Sequence, residues 1–238
     1  MKIALVGYGK MGKAIEEIAL QRGHQIVLKL DLNNAADFTA ENLQKADVAI
    51  EFTAPHSAYD NLMKLVSWKV PVVCGSTGWL DKYEAVEEYC LQQQGGFLYA
   101  SNFSVGVNVF FEINKRLAEL MAPHPEYQVE VEEIHHTAKK DAPSGTAVTL
   151  AEQIIERMPR KKAWVNEPSM VEGNLAIISK RIDPAPGTHT ITYHSTIDDI
   201  EIRHTAHNRT GFATGAVLAA EFLAGKKGIY SMKDVLGL

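Results

Sequence analysis

The densest run of chemically capable side chains is Glu133-Ile134-His135-His136-Thr137-Ala138-Lys139-Lys140-Asp141-Ala142-Pro143-Ser144-Gly145-Thr146. Two imidazoles and two ammonium groups stand beside a Ser-Gly-Thr that opens a helical stripe of Ala147, Leu150, Ala151 and Ile154. Backbone N–H groups in a first helical turn lack intrahelical partners and form the positive end of the dipole, so Ser144, Gly145 and Thr146 suit an anion. A histidine donates a proton readily near neutral pH, and a neighbouring ammonium stabilises developing negative charge. These residue types fit a small carboxylate substrate that is protonated as it reacts. The bland alternative is a helix cap beside histidines that merely end a strand. A metal site is not expected. His204 and His207 have H-x-x-H spacing but sit in a strand-like segment, and the strand neighbours His135 and His136 point to opposite faces. Cys74 reads as a buried strand-end thiol, since no cation is placed to activate it.

A second constellation opens the chain. Gly7-Tyr8-Gly9-Lys10-Met11-Gly12 has G-x-G-x-x-G spacing directly after an apolar run and before a helical stripe. The first glycine permits the tight turn, the second lets backbone approach a pyrophosphate, and the third allows close helix–strand packing. Asp31 ends the next apolar run, 19 residues after Gly12, where a ribose-binding carboxylate belongs. That carboxylate repels a 2′-phosphate, and Leu32-Asn33-Asn34 offers no arginine to receive one. NADH is therefore expected to bind at least as well as NADPH, with Lys10 and Lys13 as cations that soften the preference. Gly75-Ser76-Thr77-Gly78 and Ala100-Ser101-Asn102-Phe103 each follow an apolar run, at what would be carboxyl ends of parallel strands. Open α/β sheets bind ligands there.

These loops need elements to hold them. Apolar runs at Lys2–Val6, Gln25–Leu30, Asp47–Phe52, Val70–Cys74 and Phe97–Ala100 alternate with helical stripes such as Ala58, Leu62, Leu65 and Val66. That alternation predicts a parallel sheet wrapped on both faces. From Val105 the pattern changes. A helix bearing Val109, Phe110, Ile113, Leu117 and Leu120 stops before Pro123, and Tyr127–His136 starts with strand alternation. Asn174–Lys180, His189–Ser195 and Ile200–Ala206 read as further strands, the last two joined at Asp198-Asp199, while Gly211–Leu223 and Ser231–Leu236 read as helical. The prediction is α/β, with a dinucleotide-binding domain at 1–104 completed by 208–238. A second α+β domain at 105–207 would have a mixed, largely antiparallel sheet.

Composition narrows the function classes. Of 238 residues, 24 are Lys or Arg and 29 Asp or Glu, a net charge of −5 that disfavours nucleic acid as a partner. Two cysteines cannot build a disulfide framework, so a cytoplasmic protein is expected. The opening apolar run, Ile3 to Val6, is shorter than the roughly 7–15 residues of an export signal, and no stretch approaches the roughly 20 of a membrane span.

Along its whole length the chain resembles the dihydrodipicolinate reductase family. The resemblance rests on Gly7–Gly12, Gly75–Gly78, Asn102-Phe103-Ser104-Val105-Gly106-Val107-Asn108 and His135-His136 through Thr146, then on Arg209, Gly215-Ala216-Val217 and Met232–Leu236. It implies NAD(P)H-dependent reduction of (4-hydroxy-)dihydrodipicolinate to tetrahydrodipicolinate, in the diaminopimelate route to lysine. It also implies His135 as the catalytic proton donor, Lys139 as the second catalytic cation, and His136, Gly145 and Thr146 as holders of the substrate carboxylates. Gly7 to Gly12, Asp31, Gly75 to Thr77 and Ala100 to Phe103 match the dinucleotide contacts. The implied fold is a Rossmann domain completed by C-terminal helices, plus a mixed α/β domain whose sheet builds a homotetramer. Thr137 departs from the arginine common after His-His, Ser76 replaces a threonine, Leu32 replaces an arginine, and the stretch between Asp31 and Asp47 is short. Rival readings are another nicotinamide-dependent oxidoreductase of an amino-acid-like substrate and a non-catalytic dinucleotide sensor.

Overall fold

The computed structural model describes residues 1–208 and 210–238; Arg209, one position of the resemblance, lies outside the described residues. In chain order the elements begin with β1 (Lys2–Val6), α1 (Lys10–Gln21), β2 (Gln25–Leu30), α2 (Ala40–Leu43), β3 (Val48–Glu51) and α3 (Pro55–Ser67). Next come β4 (Val72–Cys74), α4 (Tyr83–Gln92), β5 (Gly96–Tyr99), α5 (Val105–Met121), β6 (Gln128–His135) and α6 (Gly145–Arg157). The chain continues through β7 (Ala163–Val165), β8 (Asn174–Arg181), β9 (Gly187–His194) and β10 (Asp199–Ala206). It closes with α7 (Thr210–Leu223), β11 (Gly228–Tyr230) and α8 (Met232–Leu236). These divide into two compact units, Met1–Val105 with Thr210–Leu238, and Gly106–Arg209.

The first unit is a six-stranded parallel sheet ordered β11-β5-β4-β3-β1-β2. Strand alternation assigns its two faces. Ile3, Leu5, Ile50, Val73 and Leu98 meet Ile15 and Ala19 of α1 and Ala216, Val217 and Ala220 of α7. Ala4, Val6, Ala49, Val72 and Phe97 meet Leu62, Leu65 and Val66 of α3 and Val86 and Cys90 of α4. Both faces are buried, so the strands read as continuous apolar runs. The order reverses at β1, since β2 lies on one side of it and β3 on the other. The carboxyl ends of β1 and β3 are thus the topological switch point.

The second unit has a five-stranded mixed sheet ordered β10-β9-β6-β8-β7. The β6–β9 and β9–β10 pairs are antiparallel, and β6–β8 and β7–β8 are parallel. Val107, Phe110 and Phe111 of α5 and Leu150, Ala151 and Ile154 of α6 pack on one face against Val129, Val131, Ile177, Ile191 and Tyr193.

The structure corrects several expected boundaries. Strand β4 starts at Val72 because Val70 N–H returns to Leu65 O, after Lys69 takes a left-handed φ of 58°, so Val70 still closes α3. The β9–β10 turn lies at Ser195–Asp198, where Ser195 Oγ accepts the amides of Ile197 and Asp198. Asp199 is already paired with His194. Tyr127 stands outside β6, its hydroxyl bonded to Asp198. The three-residue strands β7 and β11 are too short to show a period in sequence. Among the described residues no helix is long and apolar enough to cross a membrane.

Candidate active site

On β6 the period-2 pattern that buries Val129 and Val131 continues into Glu133 and His135, so two ionisable groups occupy core positions at the strand's carboxyl end. Register completes the cluster: Glu133 lies opposite His189 on β9 and Ser179 on β8, and His135 opposite Arg181. Both Glu133 oxygens accept Ser144 N–H at 3.1 Å, and Oε1 also accepts Ser179 Oγ–H at 2.8 Å. Arg181 reaches Glu133 Oε1 at 3.3 Å. Burial alone would raise the Glu133 pKa, but the adjacent His135 and His189 rings and the Ser144 and Ser179 hydrogen bonds override it and hold the carboxyl far below its usual range. His189 is pushed the other way by burial, toward the neutral form.

Glu133, His189 and Arg181 have no assigned role in the sequence analysis. Glu133 has a readable signal, a carboxylate in the core phase of a strand. His189 and Arg181 arrive through pairing that no local pattern encodes. Glu133, His135 and His189 bring donor atoms within 4.8 Å of one another. The charge of this carboxylate is already matched by the guanidinium, however, and Oε1 already accepts a hydroxyl and an amide.

The loop after β6 is pinned to this end of the sheet. Arg181 donates to Lys139 O at 3.3 Å and to Asp141 O at 2.5 Å. Lys139 Nζ donates to Asp141 Oδ2 at 2.8 Å, which holds the Asp141 carboxyl below its usual range. Thr137 donates from N and Oγ1 to Asp183 at 3.0 and 2.6 Å, so this residue clamps the loop to the turn between β8 and β9. Ser144 caps α6, its Oγ accepting Ala147 N–H at 3.2 Å. The expectation for the helix opening is corrected at one residue. Ser144 N–H is committed to Glu133, which leaves Gly145 and Thr146, exposed and half-buried, as the part of the first turn where an anion is expected. His136 is half-buried just past β6.

In the first unit, the switch-point loops gather around Phe52, which the sequence did not single out. A Cβ on Gly7 would stand 2.0 Å from Phe52 O, and one on Gly75 would stand 2.2 Å from the Phe52 ring. The Phe103 ring packs 5.5 Å from that of Phe52. Ser76 Oγ accepts Thr53 N–H at 2.7 Å, and Ser76 O accepts Trp79 Nε1–H at 2.7 Å. Ser76, Ala100 and Phe103 are therefore buried, whereas Thr77 and Ser101 are exposed, and Asn102 Oδ1 accepts Ser104 N–H at 2.9 Å. Cys74 faces Glu51, and burial with that carboxylate pushes its thiol far up, consistent with an inert cysteine.

The glycine loop has the shape of a phosphate cradle. A Cβ on Gly12 would meet Gly7 O at 2.4 Å, whereas one on Gly9 would meet nothing within 4 Å. The open space beside Gly9 is what a pyrophosphate needs at the opening of α1. Tyr8 bonds Glu16 through its hydroxyl, Met11 packs on the core, and Lys10 is exposed. Asp31 ends β2 in the open, its Oδ1 accepting Asn33 N–H at 2.7 Å while its own N–H goes to Asn34 Oδ1 at 2.8 Å. Its carboxylate is thereby fixed in direction, and the nearby Lys29 is committed to Glu16 at 2.5 Å.

Comparison with known proteins agrees with this geometry. Residues 1–103 match the family model described as dihydrodipicolinate reductase, N-terminus, and residues 106–236 match the one described as its C-terminus. A 4-hydroxy-tetrahydrodipicolinate reductase of Christiangramia forsetii is 51% identical, over 99% of this chain and 98% of the relative. Another, from Methanosarcina mazei, is 37% identical over 99% of this chain and 89% of the relative. The dipicolinate-bound dihydrodipicolinate reductase of Paenisporosarcina sp. TG-14 superposes with a TM-score of 0.77 at 25% identity, covering 97% of both chains. With both halves matched in order and half its positions shared with a full-length relative, the chain belongs to the dihydrodipicolinate reductase family.

Proposed function

We propose that His135 is the proton donor, and Lys139 the assisting cation, in the reaction that family membership establishes for this chain. That reaction is NAD(P)H-dependent reduction of (4-hydroxy-)dihydrodipicolinate to tetrahydrodipicolinate, on the diaminopimelate route to lysine. The observation that supports the assignment is the polar end of β6: a histidine 7% exposed, backed by a buried carboxylate, beside a helix opening suited to carboxylates.

The dinucleotide would lie along Gly7–Gly12, with Asp31 at its adenosine ribose and the loops at Gly75–Thr77 and Ala100–Phe103 beyond. When bound, its reduced nicotinamide supplies hydride to the ring carbon of a conjugated cyclic imine. The chain's own residues do the rest. Gly145 and Thr146 N–H groups, with His136, hold the two substrate carboxylates. Hydride addition sends negative charge toward the ring nitrogen, where Lys139 stabilises it once it turns from Asp141. His135 then delivers its proton to the developing centre, and a positioned acid of this kind is worth about 10²–10⁴ in rate.

The cofactor preference follows from Asp31. A carboxylate with fixed direction accepts both hydroxyls of a ribose diol and repels a 2′-phosphate, so NADH binds at least as well as NADPH. The test follows nicotinamide absorbance with each cofactor, the substrate being generated in situ from pyruvate and aspartate semialdehyde by the preceding synthase. Turnover with both, with NADH equal or better, is expected. Strong preference for NADPH would overturn the Asp31 argument and leave the reaction standing. Absence of turnover with either would overturn the reaction.

Thr146→Val keeps the helix and removes a hydroxyl from the carboxylate cradle. The substrate KM rises by about tenfold with kcat little changed, as expected for loss of one charge-assisted hydrogen bond of roughly 1.5 kcal/mol. An unchanged KM removes the Thr146 side chain from the cradle.

A homotetramer joined through the sheet face that α5 and α6 leave uncovered completes the proposal. Two free buried cysteines accord with a reducing, cytoplasmic setting.

A further inference from the structure

We infer that Glu133 is a positioning residue for catalysis: its buried carboxylate fixes the tautomer and orientation of His135 and locks the substrate-binding loop to the same point. The inference rests on the assignment of His135 as the acid.

Three observations support it. First, His135 Nδ1 is buried and makes no aligned hydrogen bond, and the polar group it faces is Glu133 Oε2, 3.3 Å away. A neutral imidazole has one N–H, and the acceptor beside Nδ1 draws it there. The other nitrogen, Nε2, points at Gly187, where a Cβ would come within 3.1 Å; the glycine keeps that edge clear. Nε2 is thus the nitrogen left to pick up a proton from solvent and pass it on. Second, the carboxylate is held in the charged form by its hydrogen bonds although it is wholly buried, so Oε2 stays an acceptor for an N–H at His135 Nδ1. Third, the same carboxylate receives the Ser144 amide, the Ser179 hydroxyl and Arg181, whose remaining donors hold Lys139 O and Asp141 O. One buried charge therefore sets the position of the acid, the assisting cation's loop and the first turn of α6.

An apolar residue at position 133 would be the cheaper solution for stability, since an ionised buried carboxylate carries a desolvation penalty that its partners must first offset. His189 gives the network its fourth wall, with its Nε2 3.2 Å from Ser144 Oγ and 3.7 Å from Glu133. Burial pushes it toward the neutral form.

The test compares Glu133→Gln and Glu133→Asp with the native enzyme. Gln keeps an oxygen for Ser144 and Ser179 but loses the charge. Its kcat falls at least tenfold, the solvent deuterium isotope effect on kcat rises, and the NADH Kd stays within about twofold. Asp keeps the charge one methylene short and recovers part of kcat. A kcat for Glu133→Gln within twofold of native overturns the inference, as does a lower kcat with an unchanged isotope effect. A measurement on the native chain covers the case of a variant that does not fold. Imidazole ¹⁵N shifts, with His135 assigned by its loss in His135→Asn, report an Nδ1–H tautomer; a dominant Nε2–H tautomer overturns the inference. Failure of the parent assignment looks different: His135→Ala would then retain turnover whatever Glu133 does.

Discussion

His135→Ala lowers kcat by about 10²-fold or more and leaves the NADH Kd unchanged. The expectation comes from the rate contribution of a positioned general acid, roughly 10²–10⁴, where 10² corresponds to about 2.7 kcal/mol of transition-state stabilisation. Binding should change far less than turnover. The carboxylate cradle proposed at Gly145, Thr146 and His136 does not include the His135 ring, and the loops proposed for the dinucleotide belong to the other unit of the chain. The variant leaves Glu133 with Arg181, Ser144 and Ser179 as partners, so the buried charge is not orphaned and the fold survives to be measured. Steady-state kinetics with the coupled synthase assay, and NADH titration by fluorescence, supply the two numbers. A loss of less than tenfold in kcat removes His135 from the acid role, and the dinucleotide-sensor reading predicts unchanged NADH binding with no turnover to lose.

The contrast between His135 and Glu133 shows what was legible in the sequence. His135, Lys139 and the Ser144-Gly145-Thr146 opening sit within a dozen residues, and their types alone suggest proton transfer to an anion. The parallel sheet was equally legible, because strands buried on both faces write themselves as apolar runs. What stayed hidden depends on register. Ser179, Arg181 and His189 meet Glu133 only because β8 and β9 pair with β6 at those positions. Phe52 was hidden for a different reason: its backbone and ring fill the space that Gly7 and Gly75 leave, and a sequence shows the gap but not its occupant. Thr137, a departure from the family pattern, has a structural task in its bonds to Asp183.

Substituting alanine at the three motif glycines separates folding from cofactor binding. Gly7→Ala is the severe one. Its φ of +99° is costly for any side chain, and the new Cβ would stand 2.0 Å from Phe52 O, which is backbone and cannot swing aside. A cost of about 3 kcal/mol or more follows, a fall of roughly 6–12 °C in the melting temperature of the nucleotide unit. Gly12→Ala collides with Gly7 O at 2.4 Å and forces α1 away from the loop, at about 1–3 kcal/mol. Gly9 differs in kind. Its φ of −85° is open to any residue and its Cβ would touch nothing, so Gly9→Ala leaves thermal stability within about 2 °C of native. The methyl instead occupies the space assigned to the pyrophosphate, and the NADH Kd rises by at least tenfold. Calorimetry and NADH titration on the three variants give two orderings that should oppose each other. If Gly9→Ala binds NADH as the native chain does, the pyrophosphate does not pass over Gly9, and the cradle must be redrawn around the amides of α1 alone.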